Sequence, residues 1–258
     1  MASIIRPRDS ILRRQPPILL AVVAILLAIL VPAVWKVVER LNRPVGPTTG
    51  GEPWPGDEPA WHTRHAEFIA DSQNGGYDVV CLGDSLTWGW DDHRDVWAER
   101  VTRRRTTFHA IGGETTNGLL WRIDHGELDG LDPKLVVLLI GTNNRWVKDD
   151  PDDIAGGVAA VVGRLRERLP RANVLLLGVL PQGWTADVTS RQVFAEVNRR
   201  LAAFDSGPVS VRDVGGCLLE PDGRLSPATS TDGTHLTRGG YERLADALGP
   251  LVRERVGD

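Results

Sequence analysis

The chain has 258 residues, with 34 acidic and 30 basic side chains and a formal net charge of −4. Seven basic and two acidic residues lie before residue 44, so the remainder carries 23 basic and 32 acidic side chains, a net charge of −9. This acidity argues against nucleic acid or an anionic lipid surface as a partner attracted by charge. The two cysteines, Cys81 and Cys217, lack metal-binding spacing, and the position of Cys81 inside an apolar run disfavours a disulfide between them.

The first predicted element is a membrane anchor. Residues 18–35 form an apolar stretch without a charged side chain, about the minimum length for a helix that crosses a bilayer. Because arginines precede it, we assign residues 1–17 to a basic cytoplasmic amino terminus and residues 18–38 to a transmembrane signal anchor. Cleavage as a signal peptide is the alternative, since Val31-Pro32-Ala33 offers small residues near the end of the run. The rest of the chain is then expected outside the cytoplasm, either held at the cell membrane or secreted.

A segment rich in proline and glycine, residues 39–60, follows the anchor. Such a composition buries too little apolar surface to order itself, so we interpret the segment as a tether. The globular domain is then expected over residues 61–258. That length is sufficient for one hydrophobic core.

Within this domain, apolar runs of strand length alternate with amphipathic stretches of helical spacing. The predicted strands are residues 78–82, 106–111, 135–140, 174–180 and 209–214. The predicted helices are residues 97–105, 158–169, 191–204 and 241–252. This alternation predicts an α/β fold, a three-layer αβα sandwich with a central parallel sheet of about five strands. Ligands of such sheets bind at the carboxyl ends of the strands.

Two motifs supply a candidate nucleophile and base. Ser85, in Gly83-Asp84-Ser85-Leu86, follows the first strand, and Asp232-Gly233-Thr234-His235 precedes the last helix. An Asp three residues before a His lets one short loop present both side chains, with the Asp on Nδ1 and the Nε2 atom facing the serine. Either motif alone is more often an ordinary turn or surface decoration. Together they are the parts that activate a serine hydroxyl for acyl transfer.

Two segments between these motifs could stabilise the oxyanion that acyl transfer generates. Gly112-Gly113 follows the second strand, and Gly141-Thr142-Asn143-Asn144 follows the third. The candidate donors are the backbone N–H groups of Ser85 and Gly113 and the side-chain amide of Asn143. In the alternative interpretation, the glycines form a tight turn and Asn143 caps a helix. The appearance of all four segments in order, each after a strand, favours the catalytic interpretation.

These segments resemble the four conserved blocks of the GDSL/SGNH hydrolases, a family of esterases and lipases. The stretches between them, at residues 111–116, 120–123 and 126–128, resemble the catalytic subunits of intracellular platelet-activating-factor acetylhydrolase, although Glu114 stands where that subfamily usually has Asp. The resemblance covers about residues 77–251. It implies an SGNH or flavodoxin-like fold, a Ser-His-Asp acyl-enzyme mechanism without a cofactor or metal, and a preference for short acyl groups.

The expected function is therefore that of a membrane-tethered extracytoplasmic serine esterase acting on acetyl or similarly short esters. A lysophospholipase, a lipase or an O-acyltransferase would use the same triad, and a non-catalytic envelope module that binds glycan or lipid is the alternative of a different class. Trp88, Trp146 and Trp184 follow strand ends and could line a substrate cleft, or they could simply pack loops onto the domain. The natural ester and the oligomeric state stay open at this stage.

Overall fold

The computed structural model describes residues 59–147 and 149–257. The predicted cytoplasmic amino terminus, the predicted anchor at residues 18–38 and residues 39–58 of the predicted linker lie outside this part. Within the described ranges, no helix is both long enough and apolar enough to span a bilayer.

Strands and helices alternate along the described chain. The strands are β1 (Val79–Gly83), β2 (Thr106–Ala110), β3 (Leu135–Leu139), β4 (Asn173–Leu177) and β5 (Val209–Arg212). The α-helices are α1 (Pro59–Asn74), α2 (Ser85–Trp88), α3 (Arg94–Val96), α4 (Thr116–Asp124), α5 (Pro151–Arg168), α6 (Thr189–Leu201) and α7 (Arg238–Val256). Short 3₁₀ turns lie at Gly89–His93, Asn143–Arg145, Ala202–Phe204 and Gly215–Leu218, and a π-helical turn lies at Trp97–Val101.

All five strands are parallel, in the order β2-β1-β3-β4-β5. β1 lies between β2 and β3, and its last residue, Gly83, is paired with Ala110 of β2 and with Leu139 of β3. The strands are almost continuously apolar because helices cover both faces of the sheet. The prediction of a three-layer α/β fold with a five-stranded parallel sheet is confirmed.

Alternate residues of each strand enter two separate cores. Val80 and Leu82 of β1 face the core formed with α4, α5 and α6. Val79 and Cys81 face the opposite core, which is formed with α7 and with the segment 86–101. Both cysteines are free thiols, and Cys81 is buried in this second core.

Some helices differ from the prediction. The predicted helix at 97–105 is only a π-helical turn that ends at Val101, after which the chain extends toward β2. Helix α4, which begins at Thr116, was not predicted, because its apolar face is interrupted by the charged side chain of Arg122. Helix α7 is longer than predicted, and Thr237 caps its amino terminus by accepting a hydrogen bond from the Gly240 N–H at 3.1 Å.

Candidate active site

The turn between β1 and α2 places Ser85 at the amino terminus of a short helix. Asp84 caps this helix, since its side chain accepts a hydrogen bond from the Leu86 N–H at 3.0 Å. Burial raises the pKa of the fully buried Asp84 carboxyl to about 6, although the Leu86 N–H opposes that rise. At Gly83, any Cβ would collide with the Leu139 carbonyl oxygen, so only glycine lets β1 enter this turn so close to β3.

The structure brings Ser85, His235 and Asp232 into one hydrogen-bonded chain. The Ser85 Oγ atom lies 3.0 Å from His235 Nε2, and His235 Nδ1 lies 2.7 Å from an Asp232 carboxylate oxygen. Burial acts to raise the pKa of Asp232, but hydrogen bonds from the His235 ring and from the backbone N–H groups of His235 and Thr234 hold it below its ordinary value. Asp232 therefore stays ionised and fixes the ring with Nε2 toward the serine.

Hydrogen bonds within the loop before α7 hold His235 in place. The His235 carbonyl oxygen accepts from the Ser230 hydroxyl and from the Thr231 N–H, both at 2.8 Å. The Ser230 hydroxyl oxygen in turn accepts from the Gly233 N–H at 2.9 Å. Gly233 has a φ of +86°, a conformation that glycine adopts without strain. These bonds close the loop around Asp232 and present its side chain and that of His235 in the same direction.

Gly113 and Asn143 lie on the turns that follow the two strands flanking β1. Gly113 has a φ of +75°, and the Glu114 N–H closes the turn by donating to the Ile111 carbonyl oxygen at 3.3 Å. The Asn143 amide nitrogen donates one hydrogen to the Glu114 carbonyl oxygen at 3.0 Å. Since a primary amide carries two hydrogens, one N–H of Asn143 is left for a ligand. Both predicted donors thus share the sheet edge with Ser85.

The side chain of Asn144 links the turn after β3 to the turn after β2. This fully buried side chain accepts from the Thr116 N–H at 3.0 Å and donates to the Thr116 hydroxyl at 2.8 Å and to an Asp149 carboxylate oxygen at 2.9 Å. The turn after β3 is therefore tied both to the start of α4 and to the segment before α5. Buried polar groups with all partners satisfied rigidify the backbone that carries them.

The three tryptophans predicted near the site are exposed, with 46% of Trp88, 63% of Trp146 and 40% of Trp184 accessible to solvent. Of the described residues, the only other large hydrophobic side chain exposed to this degree is Val147, which adjoins Trp146. Trp88 lies beside Gly112, and Trp184 lies beside Gly233 of the His235 loop. By contrast, Trp90 is buried. The exposed aromatic surface is thus concentrated at the edge that carries Ser85.

A groove of about 500 Å³ lies between α1 and the turn after β2. Its walls include Trp61, Arg64, Trp88, Ile111 and Gly112. Because Trp88 belongs to α2 and Gly112 precedes Gly113, the groove adjoins both the serine helix and the proposed oxyanion turn.

Sequence reasoning missed a buried ion cluster beside the Gly113 turn. It consists of Arg122 on α4 and the carboxylates of Glu114 and Glu127, and none of the three side chains is exposed. A charged residue within the apolar stretch Leu119–Ile123 is the signal that could have revealed it, because an isolated charge on a core-facing helix surface requires a buried partner. Among the described residues, no group of His, Cys, Asp and Glu side chains is arranged to hold a metal ion.

A serine linked through histidine to aspartate, at the carboxyl edge of a parallel sheet, defines a serine hydrolase, and the comparisons with known proteins identify the bond that it cleaves as an ester. Residues 81–243 match the model of the GDSL-like Lipase/Acylhydrolase family. The chain belongs to this family. The resemblance predicted from the motifs is therefore confirmed.

The chain is similar to the platelet-activating factor acetylhydrolase IB subunit alpha2 of Rattus norvegicus, with 32% identity over 196 residues, 75% of this chain and 84% of the relative. Among solved structures, it resembles a GDSL-like lipase from Bacteroides thetaiotaomicron, with a TM-score of 0.58, 20% identity, and coverage of 75% of this chain and 97% of the other. It also resembles a carbohydrate acetylesterase from Sinorhizobium meliloti, with a TM-score of 0.54, 21% identity, and coverage of 69% and 99%. These structural likenesses concern the fold.

Proposed function

We propose that Ser85 is the nucleophile of an esterase that removes short acyl groups, above all acetyl, by an acyl-enzyme mechanism. The observation that carries the proposal is the continuous hydrogen-bonded chain from Ser85 Oγ through His235 to Asp232, with distances of 3.0 and 2.7 Å. Such geometry lets the imidazole take the serine proton as the hydroxyl oxygen attacks.

In the first half of the reaction, Ser85 Oγ forms a bond to the ester carbonyl carbon, and its proton moves to His235 Nε2. The resulting oxyanion is stabilised by the N–H groups of Ser85, Gly113 and Asn143. The tetrahedral intermediate then collapses, the bond to the alcohol oxygen breaks, and His235 returns the proton to the leaving alcohol.

In the second half, His235 takes a proton from water while the water oxygen attacks the acyl-enzyme carbonyl. The same donors stabilise the second oxyanion, and the proton returns to Ser85 as the carboxylic acid leaves. Asp232 stays ionised throughout and stabilises the imidazolium. An alcohol in place of water would make the reaction an acyl transfer with the same residues.

Support for acetyl comes from the similarity to platelet-activating factor acetylhydrolase subunits. Support for a tethered extracytoplasmic enzyme comes from the sequence alone, namely the apolar stretch at residues 18–35, the basic residues before it and the Pro/Gly-rich segment after it.

We further propose that Trp88, Trp146 and Trp184 line the substrate cleft, since exposed indoles beside a catalytic serine offer flat apolar faces to a sugar or a lipid. The acidity of the chain after residue 43 favours a glycan over an anionic bilayer as the carrier of the ester.

A lipase or lysophospholipase is the second candidate. The apolar groove of about 500 Å³ beside Trp88 is the observation that favours it, because this volume is larger than an acetyl group needs. A long acyl chain or a lipid alcohol would occupy that groove.

The test is hydrolysis of p-nitrophenyl esters from acetyl to palmitoyl by the full-length chain and by Ser85→Ala. We expect activity that is highest on acetyl and that falls by at least about a thousandfold in the variant. A maximum on long chains would support the lipase instead. Full activity in Ser85→Ala would refute the mechanism, and a wild-type chain that neither hydrolyses any ester nor reacts with a serine-directed fluorophosphonate would indicate the non-catalytic binding module.

A further inference from the structure

The buried ion cluster contains one cation and two carboxylates. Arg122 Nη1 lies 2.7 Å from both carboxylate oxygens of Glu127, and Arg122 Nε lies 2.9 Å from Glu114 Oε2. The indole N–H of Trp61 donates to the same Glu114 oxygen at 3.2 Å. Burying three charges costs desolvation energy that their attraction only partly repays, so stability alone is a poor explanation for the cluster.

Glu114 connects this cluster to the two proposed oxyanion donors. It directly follows Gly113, and its own N–H closes the 111–114 turn by donating to the Ile111 carbonyl oxygen. Its carbonyl oxygen accepts one of the two amide hydrogens of Asn143 at 3.0 Å. The backbone of a single residue thus closes the turn that carries the Gly113 N–H and holds the side-chain amide of Asn143.

Three residues on two helices hold the Glu114 side chain. α1 contributes Trp61, and α4 contributes both Arg122 and the bare backbone of Gly118. A Cβ on Gly118 would overlap the Glu114 Oε1 atom, so the carboxylate lies directly against the first turn of α4. The side chain therefore has little freedom to move without a movement of the turn that carries it.

We propose that Glu114 is a positioning residue, whose buried carboxylate anchors the turn that aims the Gly113 and Asn143 donors at the oxyanion. This inference rests on the roles proposed above for Gly113 and Asn143. Oxyanion donors act by being preorganised, so a turn released by a few tenths of an ångström loses transition-state stabilisation with little effect on substrate binding.

Glu127 offers a matched control. It is equally buried and contacts the same cation, but the other charged partners of its carboxylate are His65 and His109, at 4.0 and 3.8 Å. Replacing either glutamate with alanine removes a buried carboxylate and leaves Arg122 with one partner. Only Glu114→Ala removes the anchor of the turn.

The experiment measures kcat and KM for p-nitrophenyl acetate with full-length Glu114→Ala, Glu114→Gln and Glu127→Ala, together with inhibition by an alkylboronic acid. The boronate forms a tetrahedral adduct with the serine, and its oxygen occupies the oxyanion site. For Glu114→Ala we expect kcat to fall about ten- to a hundredfold, KM to stay within about threefold and the boronate to bind more weakly by a similar factor. Glu114→Gln keeps an acceptor at the same reach and is expected to recover most of kcat, while Glu127→Ala stays within about threefold of wild type.

A second variant keeps the inference testable if Glu114→Ala does not fold. Gly118→Ala displaces the carboxylate without removing any charge, and Gly163→Ala, where an added Cβ meets nothing within 4 Å, is its control. We expect kcat to fall in Gly118→Ala and to stay at the wild-type value in Gly163→Ala. Equal losses in Glu114→Ala and Glu127→Ala, or unchanged kcat in both Glu114→Ala and Gly118→Ala, would overturn the inference. Ser85→Ala is measured in the same series. If it is inactive while one of these two contrary results is found, the role of Glu114 is refuted and the proposed esterase function stands.

Discussion

Replacing Glu114 with glutamine is expected to change how the stability of the protein depends on pH. Burial raises the pKa of Glu114 from an ordinary value of 4.5 to about 7, although the attraction of Arg122 opposes this rise. Between pH 4.5 and 7, the folded chain therefore retains a proton that the unfolded chain has released. The free energy of unfolding consequently falls as the pH rises through this window, by about 3 kcal/mol for this one group.

Glutamine resembles the protonated carboxyl and does not titrate. At pH 4.5 the two proteins should differ little in stability, whereas at pH 7.5 the variant should be more stable than wild type by up to about 3 kcal/mol. His65 acts in the opposite sense, because burial and the nearby charge of Arg122 lower its pKa to about 4, so its contribution to stability increases as the pH rises toward 6.5. Since both proteins contain His65, its contribution cancels in the difference.

The measurement is urea-induced unfolding of both proteins at pH 4.5, 5.5, 6.5 and 7.5, followed by tryptophan fluorescence. The quantity compared is the free energy of unfolding of the variant minus that of wild type. We expect this difference to increase steadily with pH. A difference that stays constant across the range, or that decreases, would refute the argument that Glu114 is a buried carboxyl whose ionisation destabilises the fold.

Other substitutions test the remaining contacts. Asp232→Asn should lower kcat about a hundred- to a thousandfold, because the His235 ring would no longer be held in the tautomer with Nε2 free to accept the Ser85 proton. The loss should be smaller than in fully buried triads, since both side chains are about half exposed. A loss below tenfold in ester hydrolysis would contradict this. Tyr241→Phe removes the hydroxyl that donates to the buried Leu86 carbonyl oxygen at 2.9 Å, and chemical denaturation should show a loss of about 1–3 kcal/mol, not unchanged stability. Gly141→Ala forces a side chain into a φ of +117° and should lower the thermal midpoint by several degrees, whereas an unchanged midpoint would show that the turn relaxes.

The central sheet could be predicted because its strands are short, continuous apolar runs. All five predicted strands overlap the observed ones, and the polar segments that end them lie at the expected edge. The local spacing of Asp232 and His235 predicted their mutual contact, since three residues are enough for one loop to present both. The spacing of the motifs did not predict the distance of 3.0 Å between His235 Nε2 and Ser85 Oγ. That distance depends on how α7 packs against the sheet.

The ion cluster shows why the rest could not be predicted. Arg122 and Glu127 are close in sequence, but Glu114 reaches them only because α4 begins at Thr116 and turns its arginine inward. A charged side chain in an apolar stretch indicates that a buried partner exists, but it does not identify that partner, which is set by tertiary packing. The contribution of α1 was equally invisible, since nothing in the sequence indicates that Trp61 bonds to a residue 53 positions away.

The distance of 150 residues between Ser85 and His235 has a consequence for synthesis of the protein. During translation, the proposed nucleophile and the two turns with the proposed oxyanion donors emerge before the proposed base, which arrives with the loop before α7. Until that helix docks against the segment after Ser85, the nascent chain lacks the contact between Ser85 and its proposed base, His235. Hydrolysis can therefore serve as a direct reporter of completed folding, because truncated and partly folded chains should leave ester bonds in the biosynthetic compartment intact.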